Sequence, residues 1–269
     1  MKHALRTLAY SLLFGALLGA CATSPTGRSQ LQLFDDAQMV EMGATAFQEI
    51  QQQTPRSQDA AAQRYVDCVT RHITDTLPPA YARDNWEVVL FEDDSANAFA
   101  LPGGKIGVNT GLLKVAKTPA QLATVIGHEI GHVIAEHGNE RMSTTYATQA
   151  GLQVAQVLAG TQGGEQQQIA MAVLGLGAQV GILLPFSRTQ ESEADQIGLD
   201  AMARAGFDPR ESVQLWQNMA QAGGGQGPEF LSTHPGHDTR IEGLQRRMEQ
   251  ALPLYEQARS QGRRPGCRL

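Results

Sequence analysis

Two histidines four residues apart enclose a glutamate in the string His128-Glu129-Ile130-Gly131-His132. On a helix of 3.6 residues per turn, positions four apart stand on one face, so both imidazoles can reach a single zinc ion at about 2.0 to 2.1 Å. Glu129 lies beside them, placed to take a proton from water activated by the metal. A chain of 269 residues with 7 His and 15 Glu has a chance expectation of roughly 0.01 for this motif, which leaves two unrelated surface histidines as a poor account of it. A catalytic zinc also needs a third protein ligand and one open position for water. Downstream, Glu191-Ser192-Glu193-Ala194-Asp195 opens a helical stretch in which Glu191 and Asp195 share a face and Glu193 points elsewhere. Glu191 is the candidate third ligand, and Asp195 the candidate acceptor for the free ring N–H of a zinc-bound histidine. On spacing alone, the same pair also describes an ordinary solvated acidic face. His137 stands about 140° off the ligand face at 100° per residue, which assigns it to packing or capping near Gly138.

Such a site needs a rigid helix beneath it. Thr118-Pro119-Ala120-Gln121 carries helix-start chemistry: Thr118 as cap, Pro119 in the first turn and Gln121 reaching back as in a capping box. Leu122, Val125, Ile126, Ile130 and Val133 then seat the helix. Helical spacing of apolar residues recurs from Phe34 to Ile50 and from Tyr65 to Ile73. Trp86 to Phe91, Asn97 to Ala100 and Lys105 to Val108, with a Pro102-Gly103-Gly104 turn, read as one small sheet of short strands. Asp208-Pro209-Arg210-Glu211 starts another helix, and a last one covers about Thr239 to Ala258. The expected class is mainly α with a small β-sheet, α+β.

Hydrophobic residues make up 42% and charged residues 18% of the chain, which excludes a disordered or fibrous protein. A net charge of -6 offers no basic footprint for nucleic acid. Lys2 and Arg6 precede an apolar run from Leu8 to Ala20, the pattern of an export signal over residues 1–20. Removing those two cations leaves 19 basic against 27 acidic residues, a charge of -8. Leu18-Gly19-Ala20-Cys21 resembles the bacterial lipobox, which makes Cys21 the expected lipidation site. Ala22 behind it implies outer-membrane sorting. Residues 21–33, small and polar at first, read as the lipidated cysteine and a flexible tether, followed by a domain over 34–260 and a basic tail over 261–269. Export permits Cys68 and Cys267 to pair, and two buried thiols fit equally well. The uncharged stretch Ile169 to Leu184 falls short of the roughly twenty residues of a membrane span and reads as a close-packed helix.

Four ordered blocks carry a further observation: Asn97 to Gly104 with Thr110 to Leu113, HEIGH, Glu191-x-Glu193-Ala194-Asp195, and Ser232-Thr233-His234-Pro235 with Arg240-Ile241. Together they resemble the zinc metallopeptidases that include HtpX and the CAAX prenyl proteases, in particular the soluble bacterial lipoprotein branch (BepA/LoiP-like). The resemblance implies a gluzincin-like domain holding one Zn2+ per chain on His128, His132 and Glu191, with Glu129 as base and Asp195 supporting the site. It implies that the strand Asn97, Ala98, Phe99 and Ala100 borders the cleft and pairs with an extended substrate. It also implies that His234 approaches the metal, either stabilising an oxyanion or occupying the water position. Arg240 then faces the site or makes an ion pair on the last helix. Some relatives carry a C-terminal repeat array that contacts partners; this chain shows none, so docking to a large assembly machine is not expected. The expected protein is a periplasmic zinc endopeptidase, lipid-anchored to the outer membrane. Its expected substrates are misfolded or stalled envelope polypeptides; the alternative is a chaperone-like assembly factor that cleaves rarely.

Overall fold

The computed structural model describes residues 21–81, 85–158, 186–222, 229–234 and 237–269. The expected signal segment 1–20 and the Ile169 to Leu184 stretch lie outside the described residues. Among those described, no helix is long and apolar enough to cross a membrane.

The chain opens with a hairpin of β1 (Cys21–Thr23) and β2 (Ser29–Leu31), then α1 (Asp36–Gln53) and α2 (Ala60–Thr74). A three-stranded sheet follows: β3 (Glu87–Phe91), β4 (Ala98–Leu101) and β5 (Lys105–Asn109). The short α3 (Thr110–Leu113) leads to α4 (Pro119–Ile134) and α5 (His137–Leu158). Finally come α6 (Arg188–Arg204), α7 (Glu211–Ala222), α8 (Glu229–Thr233) and α9 (His237–Ser260). This is the expected α+β class.

Helix α4 is the axis of the molecule. Thr118 caps it by accepting from the Gln121 backbone N–H, with Pro119 in the first turn. The Gln121 side chain reaches back one residue further than a capping box requires, accepting from the Lys117 backbone. Leu122, Ile126 and Ile130 are fully buried, and so is nearly every other position, as expected for a helix enclosed on all sides. Its partner is α6. A Cβ on Gly127 would stand 2.8 Å from the Gly198 carbonyl oxygen, and one on Gly131 2.7 Å from that of Ala194. Small residues at the crossing let the two backbones touch, and this contact fixes the height of Glu191 and Asp195 against the HEIGH turn.

In the sheet, β5 lies between β3, to which it is parallel, and β4, to which it is antiparallel. Among the described strands, β4 is thus an edge. Gly103 and Gly104, at φ 79° and 74°, make the turn into β5 in a conformation that a side chain would strain. Cys68 of α2 and Cys267 form a disulfide, so the C-terminal tail is pinned to the body.

Residues 21–31 depart from the expected flexible tether. Ser24-Pro25-Thr26-Gly27 makes a turn closed by the Gly27 N–H to the Ser24 carbonyl, with Gly27 at φ 90°. The hairpin docks on the body: Leu33 donates its N–H to Ser143 Oγ, and Asn139 donates to the Phe34 carbonyl. Small polar composition reads as mobility only while no partner surface is in view.

Candidate active site

The two histidines of HEIGH are buried and their Nε2 atoms lie 3.0 Å apart. Glu191, brought in by α6, places Oε2 3.5 Å from His128 Nε2 and Oε1 3.4 Å from His132 Nε2. His234, just after α8, places Nδ1 3.2 Å from His128 Nε2 and 2.9 Å from Glu191 Oε1. All four ligand atoms lie within 4.8 Å of one another. Donors about 2.0 to 2.1 Å from a tetrahedral zinc stand about 3.3 Å apart, so this set fits that ion.

The protonation states fit too. Burial pushes His128 down to about 4 and His132 well below the ordinary histidine range, which leaves both rings neutral. Burial alone would raise Glu191, but hydrogen bonds to His132 and His234 and the charges of His128 and Arg240 outweigh it and keep the carboxylate ionised. Neutral imidazoles and a carboxylate are what a zinc ion requires. Glu129 is different: burial lifts it to about 7, opposed by His234. Its Oε1 is buried without a hydrogen-bond partner, 3.4 Å from His234 Nε2. A buried carboxylate oxygen left open at the metal side is a place for a substrate water. The Ala100 backbone, on β4, lowers Glu129 against that burial, which sets the strand beside this carboxylate.

Behind the ligands lie two supports. His128 Nδ1 is 3.0 Å from Asp195 Oδ1. Arg240, stacked over Trp216 at 3.9 Å, donates to Asp195 and Glu191 together, so it faces the site. His132 Nδ1 is 2.8 Å from His137 Nδ1, and His137 Nε2 is 3.1 Å from Glu193 Oε2. The assignment of His137 to packing or capping is corrected here. It assumed one straight helix, but α4 stops at Ile134 and Glu136 adopts φ 54°, which turns His137 back beneath His132. Glu193 does point away from the ligand cluster, yet it ends on His137. Hydrogen bonds from Ser24, Thr26 and His137 overcome burial and hold its carboxyl down at about 2.

Phe186 stacks on His132 at 3.7 Å and, with Phe230 at 4.2 Å, sandwiches His234. Arg141 covers the other face of the Phe186 ring at 3.7 Å. Sequence reasoning had no signal for Phe186 or Arg141, which follow from no local spacing. Of the edge strand, Ala98, Phe99 and Ala100 belong to β4, while Asn97 precedes it and caps it through Oδ1 to the Ala98 N–H.

Fold and site define a zinc metallopeptidase domain of the HExxH type. The chain belongs to peptidase family M48, whose sequence pattern matches residues 60–248. It is 39% identical over 170 residues to the mitochondrial metalloendopeptidase OMA1 of Schizosaccharomyces pombe, covering 62% of this chain and 47% of that protein. The Arabidopsis thaliana protein of the same name is 39% identical over 178 residues, covering 65% and 35%. The beta-barrel assembly-enhancing protease of Escherichia coli K12 is 25% identical over 271 residues, covering 96% of this chain and 54% of the relative. The chain thus spans about a third to a half of the length of these relatives.

Proposed function

We propose that this protein is a zinc endopeptidase of the lipoprotein branch, anchored through Cys21 to the periplasmic face of the outer membrane and acting on misfolded or stalled envelope polypeptides. The observation that carries the enzymatic reading is the pairing of a compact set of metal donors with the unpartnered Glu129 Oε1 beside it. Zinc held by His128, His132 and Glu191 would supply a Lewis acid for a peptide carbonyl and for water. Glu129 takes the proton of the attacking water and returns it to the leaving amine. The outer edge of β4, unpaired among the described strands, aligns an extended chain as an added strand, which suits unfolded polypeptides and barrel strands that lack neighbours. The likeness to a beta-barrel assembly-enhancing protease and the lipobox-like Leu18 to Cys21 support the envelope setting.

One observation favours the second reading, a holding factor that cleaves rarely. His234 Nδ1 completes a closed set of four donors, and closed sets mark metal sites without an open water position. In that resting arrangement His234 silences the site, and displacing it opens the fourth position.

The test is digestion of casein by the purified full chain beside its Glu129→Gln variant. The variant should keep its zinc and lose about a hundredfold or more in rate, since it removes a base and no ligand. Equal digestion by both overturns the enzymatic reading. Cys21→Ser should abolish lipidation and change membrane fractionation; a fully processed variant that still sediments after a high-salt wash overturns the anchor.

A further inference from the structure

Most of a zinc site's support usually lies within the domain that carries the ligands. Here one branch leaves it. From His132 a chain of side chains runs through His137 to Glu193, and Glu193 is held by the N-terminal hairpin: Thr26 Oγ1 donates to Oε1 at 2.6 Å and Arg28 Nε to Oε2 at 3.1 Å. Arg28 is itself fixed by Glu140, to which its Nη2 donates at 2.7 Å, and by Gln30 Oε1 at 3.2 Å. Gln190 on α6 closes the ring by donating to Glu140 at 2.7 Å.

The direction of this chain is fixed by chemistry. The Glu193 carboxylate only accepts, so His137 presents Nε2–H to it and a bare Nδ1 to His132. His132 must then carry its proton on Nδ1, which leaves Nε2 bare toward the metal. The far end of the chain is the turn Ser24 to Arg28, which begins three residues after Cys21.

We propose that Thr26 and Arg28 are positioning residues of the zinc site, setting the tautomer and angle of His132 through Glu193 and His137, so that the metal is held at full strength only when the N-terminal hairpin is seated. This rests on the zinc reading above. The hairpin is then a working part of the enzyme and not merely the link to an anchor. Whatever pulls it away, including tension on the segment that carries Cys21, loosens one ligand and leaves His128 and Glu191 in place.

The experiment measures zinc affinity by chelator competition on the full chain, together with the melting temperature of the zinc-free protein. Wild type is compared with Glu193→Gln and with the double variant Thr26→Val/Arg28→Ala. Outer partners of metal ligands commonly carry about 10- to 100-fold in affinity. Glu193→Gln should lose about tenfold or more and the double variant a smaller factor in the same direction, with zinc-free melting close to wild type. Thr26→Val/Arg28→Lys should recover part of the loss seen in Thr26→Val/Arg28→Ala, because an ammonium still donates to Glu193. Wild-type affinity in the double variant overturns the proposal, whether or not Glu193→Gln folds. Lower melting with unchanged affinity overturns it as well, since that shows a merely structural contact. A wild type that binds no zinc sinks the underlying zinc reading instead.

Discussion

His128 and His132 sit one turn apart on the same helix, yet they are held in different ways. His128 rests directly on Asp195, a carboxylate locked by Arg240, and this pair is buried among α4, α6 and α9. His132 rests on another imidazole, and the carboxylate behind that is held by Arg28, a side chain about a quarter exposed. One helix, α6, supplies both carboxylates and the third ligand, at positions 191, 193 and 195. The first support is thus a rigid piece of the core. The second reaches the surface and depends on a segment distant in sequence.

The largest difference should appear when each carboxylate is removed. Asp195→Ala strips the buried Arg240 guanidinium of one of its two carboxylates and leaves His128 Nδ1 without that acceptor, a loss of about 3 kcal/mol in stability, since hydrogen bonds to charged groups carry about 1.5 to 3 each. Glu193→Ala leaves Arg28 with Glu140 but takes the acceptor from the buried His137, so its folding cost should stay at about 1 to 2 kcal/mol, that of one unsatisfied buried donor. Urea unfolding of the zinc-free proteins measures both, and equal losses would remove the distinction between the supports.

Next in size is the disulfide, whose effect is felt far from either support. Cys68 and Cys267 are 199 residues apart in sequence. Reduction, or Cys68→Ala, should lower stability by about 2 to 5 kcal/mol. Zinc content should not change, because neither support touches the bridge. Loss of metal on mild reduction would show that the tail and the site are coupled.

The α4–α6 contact that both supports share can be probed by glycine. Gly127→Ala puts a Cβ 2.8 Å from a backbone oxygen and should cost about 1 to 3 kcal/mol by overpacking. Gly138→Ala meets nothing closer than Met39 Cε at 3.8 Å, so it should be neutral or stabilising by about 0.4 to 1 kcal/mol. Similar melting temperatures for the two would mean that α4 and α6 are not in close contact.

The smallest effect is the pH response of the zinc-free protein. Both ligand histidines are held below the ordinary 6.5, His128 at about 4. In a Glu129→Gln background, which removes the opposing effect of the buried acid lifted to about 7, the unfolded chain takes up these protons first, so stability should be level above about pH 6.5 and fall as pH drops from there through about 4. Zinc should flatten the slope while it remains bound. A zinc-free Glu129→Gln protein equally stable at pH 7.5 and pH 5 would contradict the buried, neutral state of these rings.

The contrast also marks what the sequence could show. His128 and His132 follow from four-residue spacing on a helix, because regular helices convert sequence distance into direction; Glu191 and Asp195 share such a face too, but the likeness of the four blocks is what singled them out. The Thr118 cap and the Pro102 to Gly104 turn were legible for the same local reason. His137 was not, because the bend at Glu136 breaks the periodicity on which the angle was reckoned. Arg28 and Phe186 were not, because their roles depend on tertiary contacts with residues far away in the chain. The hairpin of residues 21–31 was read as a tether, because small polar residues with Pro25 and Gly27 say nothing of the surface they touch.

The measurement that bears most directly on the whole account is the zinc content of the full chain and of its Glu191→Ala variant, purified side by side and compared after dialysis. One zinc per chain in the wild type and almost none in the variant, with both chains still folding cooperatively, is the expected result. A variant that retains a full equivalent of zinc, or a wild type that holds none, would contradict the site built from α4 and α6.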